Sequence, residues 1–270
     1  MTPLASIELK IMSQALKSDA LTSAPLSNEE RSLRVDLAAA YRLVDYFGWC
    51  ELIYGHLTAH VPGPEPHFLI NPYGLNYDEV TASNLVKIDI DGKIVEPTVH
   101  AINEAGFVIH SAIHMLSDDT NRVVMHTHSR AGMAIAALKE GLLPISMGST
   151  AFYDDIAYHD YEGPSLYLDE RERLQASLGK KKTLILKNHG LLTVGKTVAE
   201  AFIRLYRLES ACRVQLDAGA AGTLDIIDSA LASKSGHDVN RFMEQEDTFG
   251  QLEYAALMRK IDKVDDSYRH

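Results

Sequence analysis

The stretch Val123-Val124-Met125-His126-Thr127-His128-Ser129-Arg130-Ala131-Gly132 carries two patterns at once. Its apolar start reads as a strand, and that strand ends in two histidines one residue apart. Residues i and i+2 of a strand project from the same face, so His126 and His128 can aim two imidazoles at one point. A second apolar run, Thr183-Leu184-Ile185-Leu186, ends at Lys187-Asn188-His189-Gly190 and brings a third imidazole to a strand end. Three neutral nitrogen ligands with an open fourth position describe a catalytic metal site better than a structural one. His-x-His pairs also arise by chance, and a strand-end histidine is often only a hydrogen-bonding residue. Spacing alone therefore leaves both readings open.

Bulk properties bound the answer. At 270 residues, 46% of them hydrophobic, the chain can form one large domain or two small ones. A formal net charge of −11 argues against nucleic acid or an anionic membrane as the main partner. Small anionic substrates stay open, because a local cluster can invert the overall field. Cys50 and Cys212 make no metal-type pair and read as reduced, buried thiols. Met1 to Lys17 has no apolar core of signal length, and no run approaches the ~20 apolar residues a membrane span needs. The expectation is a cytoplasmic protein with a small-molecule substrate, no nucleic acid and no membrane.

Along the chain, residues 1–28 read as an N-terminal arm. Ser27-Asn28-Glu29-Glu30 then opens a helix with an N-cap and early carboxylates, and Leu33, Leu37, Ala40, Leu43, Val44 and Phe47 keep helical spacing as far as Gly48. Strand-like pieces follow at Gly55–Val61, His67–Asn71 and Val86–Ile90, punctuated by Pro62-Gly63-Pro64, Pro72-Tyr73-Gly74 and Asp91-Gly92. Helices are expected over Glu104–Leu116, Arg130–Glu140, Asp169–Leu178 and Val198–Leu216. The Gly- and Ala-rich stretch after Asp217 reads as a flexible joint. The core domain is thus expected over 29–217, with a helical extension over 218–270. No strand–Gly-x-Gly-x-x-Gly–helix unit is present, which weighs against a dinucleotide fold.

Taken in order, Gly55-His56-Leu57-Thr58, Leu69-Ile70-Asn71-Pro72-Tyr73-Gly74, Val123–His128 and Lys187-Asn188-His189-Gly190-Leu191-Leu192 resemble the class II aldolase/adducin family. Asn103-Glu104-Ala105-Gly106-Phe107 and Tyr158-His159-Asp160-Tyr161-Glu162-Gly163 look closer to its adducin-like, bacterial-type branch. The resemblance runs from about Leu33 to Leu216. It implies an α/β fold with a central, mainly antiparallel sheet and helices on both faces, assembled as a homotetramer. It also implies that His126, His128 and His189 hold a divalent metal, with zinc first and manganese, cobalt or iron as alternatives. In the aldolases that metal chelates the substrate's hydroxyl and carbonyl oxygens, and a glutamate beside it shuttles the proton.

The chain departs from the sugar-phosphate pattern in several places. Glu104, Ala105 and Gly106 stand opposite the family's Ser-Ser-Glu, so the phosphate-holding serines are missing and the glutamate position is glycine. Glu104 is two positions early; it is either the acid/base or a first-turn carboxylate at a positive helix end. His56 stands for the asparagine of the Gly-Asn turn, and Tyr73-Gly74 for a Ser/Thr-Gly pair. These three join Arg130 and His159 as substrate-side candidates. Arg130 can equally be solvated, and His159 can equally be a hydrogen-bonded turn residue. His110 and His114, at i and i+4, are read as packed beside the site. The expected function is a metal-dependent lyase on a small hydroxy- or oxo-carbonyl compound other than a standard sugar phosphate. The alternatives are an iron-dependent oxygenase or decarboxylase on the same histidines, or a non-catalytic adducin-head-like scaffold.

Overall fold

Ser27 starts the first helix. Its hydroxyl accepts the Glu30 N–H at 3.1 Å and caps helix α1 (Asn28–Tyr46), whose Leu37, Ala40, Leu43 and Val44 face inward. The structure, a computed structural model, describes residues 25–116, 119–165, 167–243 and 249–270, and of Glu104 and Ala105 the backbone alone. Residues 1–24, most of the expected arm, lie outside the described residues. After α1 come β1 (His56–His60), β2 (Phe68–Ile70), β3 (Val86–Ile88), α2 (Glu104–His114) and β4 (Val123–Thr127). Then follow α3 (Arg130–Ala136), α4 (Met147–Thr150), β5 (Ile156–His159), α5 (Glu170–Leu178), β6 (Thr183–Leu186) and β7 (Gly190–Gly195). Three helices complete the order: α6 (Val198–Ala221), α7 (Ser229–Met243) and α8 (Gln251–Ile261).

The seven strands form one mixed sheet in the order β3-β2-β1-β4-β7-β6-β5, antiparallel except for the β5–β6 pair. Helices cover both faces. On one side Leu57, Ala59, Val123, Met125 and Leu191 pack with α1, α3 and α6. On the other, Val124, Leu184, Leu192 and Val194 pack under Ile109 and Ile113 of α2 and Leu174 and Leu178 of α5. The period of two therefore sorts β4 cleanly: Val123 and Met125 go one way, Val124 and His126 the other. Among the described residues no helix is long and apolar enough to cross a membrane.

Four local readings change. Ile156–His159 and Gly190–Gly195 are strands where none was expected; the first is only four residues long, and the second is buried along its whole length and so lacks a polar–apolar alternation. Helix α3 stops at Ala136 rather than Glu140, because the Ala136 carbonyl is taken at 2.9 Å by the Asn188 N–H. Helix α6 runs through the expected joint to Ala221. Three alanines there outweigh the ~1 kcal/mol that Gly219 costs a helix. The segment beyond it folds back onto the core, with the Tyr254 hydroxyl of α8 donating to the Asp36 carbonyl at 2.7 Å.

One buried hydroxyl pins α1 to the sheet. Tyr41 Oη lies 2.6 Å from the Leu57 carbonyl and 2.9 Å from Asn71 Oδ1, and accepts the Leu57 N–H at 2.8 Å. Tyr41→Phe leaves these groups buried and short of a partner. Its expected cost is about 1–3 kcal/mol, read in urea unfolding as a lower midpoint with unchanged slope.

Candidate metal centre

Three chain segments converge at the end of β4. His126 is its last inward residue on the α2 side, and His128 follows two positions on. His189 arrives on the turn between β6 and β7, where Asn188 takes φ +56°, a left-handed conformation that asparagine tolerates. The next residue must be glycine. A Cβ on Gly190 would stand 2.5 Å from the Thr127 carbonyl oxygen, so any side chain would push β7 off β4. With glycine there, His126 Nε2 and His128 Nε2 are 2.9 Å apart, and His128 Nε2 and His189 Nε2 are also 2.9 Å apart.

The outer nitrogens decide where the protons sit. His126 Nδ1 is 2.9 Å from the Leu191 carbonyl, which can only accept, so this nitrogen carries the hydrogen. His128 Nδ1 is 2.8 Å from Glu51 Oε2 and donates to that carboxylate. Both Nε2 atoms are then bare lone pairs facing each other at hydrogen-bond distance. Two neutral imidazoles in this arrangement lack a hydrogen to share, and a cation between them satisfies both. The donor set fits a divalent metal, with the outer nitrogens held as metal-binding histidines hold them. Burial pushes the His126 imidazolium well below its usual range, and the neighbouring histidines add to this. Burial, then His128, brings His189 down to about 4. Burial thus favours the neutral form of His126 and His189, the form a metal needs.

Further groups support the site. Ser129, directly after His128, caps α3 and donates to the buried Glu209 carboxylate of α6 at 2.5 Å. His56 lies opposite His126 in the β1–β4 register, on the same face. It is 5% exposed, and burial followed by the charges of His128 and His189 lowers it to about 3. His110 of α2 stands edge-on to His56 and shares Thr58 Oγ1 with His114, each at 2.7 Å.

The remaining candidates are more scattered. Arg130 is exposed at the first turn of α3. Tyr73 and Gly74 occupy a turn held at 2.8 Å to the Ala101 carbonyl, just ahead of α2, with Gly74 at φ +102°. Among the described residues no hydrogen bond joins these three to the histidines. His159 lies on β5, and its ring faces α5 instead, with Nδ1 2.9 Å from Ser177 Oγ and Nε2 3.5 Å from Glu170. Glu104 opens α2, and its side chain lies outside the described residues. Glu51 and Glu209 escaped sequence reasoning. They act across 77 and 80 residues of chain, and neither sits in a motif.

The family model described as the Class II Aldolase and Adducin N-terminal domain matches residues 35–216. An aldolase II superfamily protein from Pseudomonas syringae superposes with a TM-score of 0.84 at 48% identity, over 91% of this chain and 98% of that one. An L-fuculose 1-phosphate aldolase from Glaciozyma antarctica gives a TM-score of 0.78 at 32% identity, over 93% and 98%. Mouse alpha-adducin is 42% identical over 250 residues, which is 87% of this chain but 34% of the adducin.

Glu51→Gln removes the carboxylate behind His128 while keeping its shape. Losing such a partner weakens metal binding by about 10–100-fold, so the expected change is a shift of that size in a competition titration against a chelator. Unchanged affinity would strip Glu51 of this role.

Proposed function

The chain belongs to the class II aldolase and adducin family, and from that premise we propose a metal-dependent lyase acting on a small hydroxy- or oxo-carbonyl compound. One observation carries this reading: the facing Nε2 lone pairs of His126 and His128, with His189 beside them and both outer hydrogens committed elsewhere. Three protein nitrogens leave coordination positions free for a substrate oxygen, the arrangement of catalytic rather than structural sites. A divalent ion bound there supplies a Lewis acid that polarises that oxygen.

The chain's own residues do the rest. The Leu191 carbonyl holds the hydrogen of His126 on Nδ1, and Glu51 holds that of His128 on Nδ1, so the ligand nitrogens stay turned inward. Glu104, at the start of α2, is the proposed proton carrier, with Tyr73, Gly74, Arg130 and His56 on the substrate side. We assign zinc first among manganese, cobalt and iron, since three imidazoles suit all four. A homotetramer in the cytoplasm is the proposed working form. The contacts of His159 with Ser177 and Glu170 support a structural role for it.

Two relatives bear on the substrate. The Glaciozyma neighbour is named for L-fuculose 1-phosphate, but this chain has no serine pair opposite the phosphate-holding positions and carries Gly106 at the glutamate. We therefore expect fuculose 1-phosphate to be cleaved slowly, and rapid turnover would overturn this part of the reading. The likeness to alpha-adducin favours a second reading, a scaffold without catalysis.

Elemental analysis separates the two. Protein purified without chelator is expected to carry about one zinc, manganese, cobalt or iron per chain. His126→Ala and His189→Ala are expected to lose it while keeping the far-ultraviolet circular dichroism of the parent. An empty parent that also refuses added metal would leave the scaffold reading. Full occupancy in either variant would refute the ligand assignment.

A further inference from the structure

Among the described residues, the His56 ring has no hydrogen-bond partner, and it stands on the face of the sheet that carries His126. It stands across the β1–β4 register from His126, so the two side chains leave the sheet on one face. Its ring is buried, and neither Nδ1 nor Nε2 has a hydrogen-bond partner among the described residues. Buried polar atoms are nearly always paired, and an orphan at a functional site points to a group that arrives later. A neighbouring ring reinforces this. His110 lies edge-on at 5.7 Å between ring centroids, its Nδ1 occupied by Thr58 and its Nε2 also unpartnered. Among the described residues three ring nitrogens thus remain unpaired on this face of the sheet.

His56 can stand where it does because residue 106 has no side chain. A Cβ on Gly106 would stand 2.4 Å from Cγ, Cδ2 and Nε2 of His56, a contact that real structures do not contain. Gly106 lies in the first turn of α2, where helical backbone imposes no need for glycine and where glycine weakens the helix. The residue is accounted for by the ring pressed against it. His56 and Gly106 are therefore one unit: the imidazole occupies the volume that a side chain at 106 would fill.

We infer that His56 is the residue that hydrogen-bonds the substrate oxygen held at the histidine triad, and that Gly106 is vacant to admit it. The inference rests on the triad being a metal centre. A neutral imidazole offers one N–H and one lone pair, which complements a hydroxyl or carbonyl oxygen, itself donor or acceptor. It is a poor match for a phosphate dianion, which accepts only and favours several donors or a positive charge. The ligand class is thus a compact compound with adjacent hydroxyl and carbonyl oxygens, one of which meets His56.

The test uses cobalt-loaded protein and acetohydroxamate, whose neighbouring carbonyl and hydroxyl oxygens imitate such a compound, with binding read from the visible cobalt bands. His56→Phe keeps the ring volume and removes both nitrogens. It is expected to retain one cobalt per chain and to bind the hydroxamate at least tenfold more weakly, with His56→Gln recovering part of the loss. Hydroxamate affinity within twofold of the parent, at full cobalt occupancy, would overturn the inference. A parent protein that takes up no cobalt would instead bring down the metal reading itself. The steric half is tested separately by melting temperature. Gly106→Ala is expected to destabilise the parent and to be tolerated in a His56→Ala background, whereas equal losses in both backgrounds would refute the pairing.

Discussion

A carbonyl oxygen can only accept, and that rule fixes the centre of this molecule. The Leu191 carbonyl claims the Nδ1 hydrogen of His126, so the Nε2 lone pair has to turn toward His128 and His189. Leu191 can reach His126 only because β7 runs hard against β4, and β7 runs there only because Gly190 has no side chain to meet the Thr127 carbonyl. The chemistry of one nitrogen is therefore set by the register of two strands. The strands are held in that register by a core on each side, with Met125 and Leu191 in one and Val124 and Leu192 in the other. A slip of one residue would turn His126 into the opposite core.

Much of this was legible before any coordinates. The His-x-His pair at the end of an apolar run, and the Asn-His-Gly turn after another, pointed to the strand ends and to three imidazoles aimed at one place, because strand alternation is a local property. Helix α1 was equally plain from its Ser27 cap and its spacing. The three histidines were visible for the same reason that the groups behind them were not. Glu51 and Glu209 reach the site through folding alone, from a loop and from the middle of a long helix, and no local period marks them. The His56–Gly106 contact is invisible in the same way: each residue looks ordinary until α2 is laid over β1.

The misread elements share a cause of their own. Strand β7 is buried on both faces, so its residues do not alternate, and β5 is only four residues long. Helix α3 ends early for a tertiary reason, the capture of the Ala136 carbonyl by the His189 turn. That contact couples the end of a helix to the placement of His189. The supports of the site thus come from α3, α6, β7 and the 50–55 loop at once, while the three histidines occupy only two short stretches.

Exposure is uneven across the three rings. His126 is 1% exposed, whereas the side chain of His128 is 17% exposed and that of its partner Glu51 49% exposed. For any cation the rings take up, this gradient is a direction of travel. An ion from solvent would meet the half-buried His128 and His189 before the buried His126, and would depart in the reverse order. Arrival would then answer to the outer rings and the carboxylate behind His128, and dwell time to the inner ring locked to Leu191.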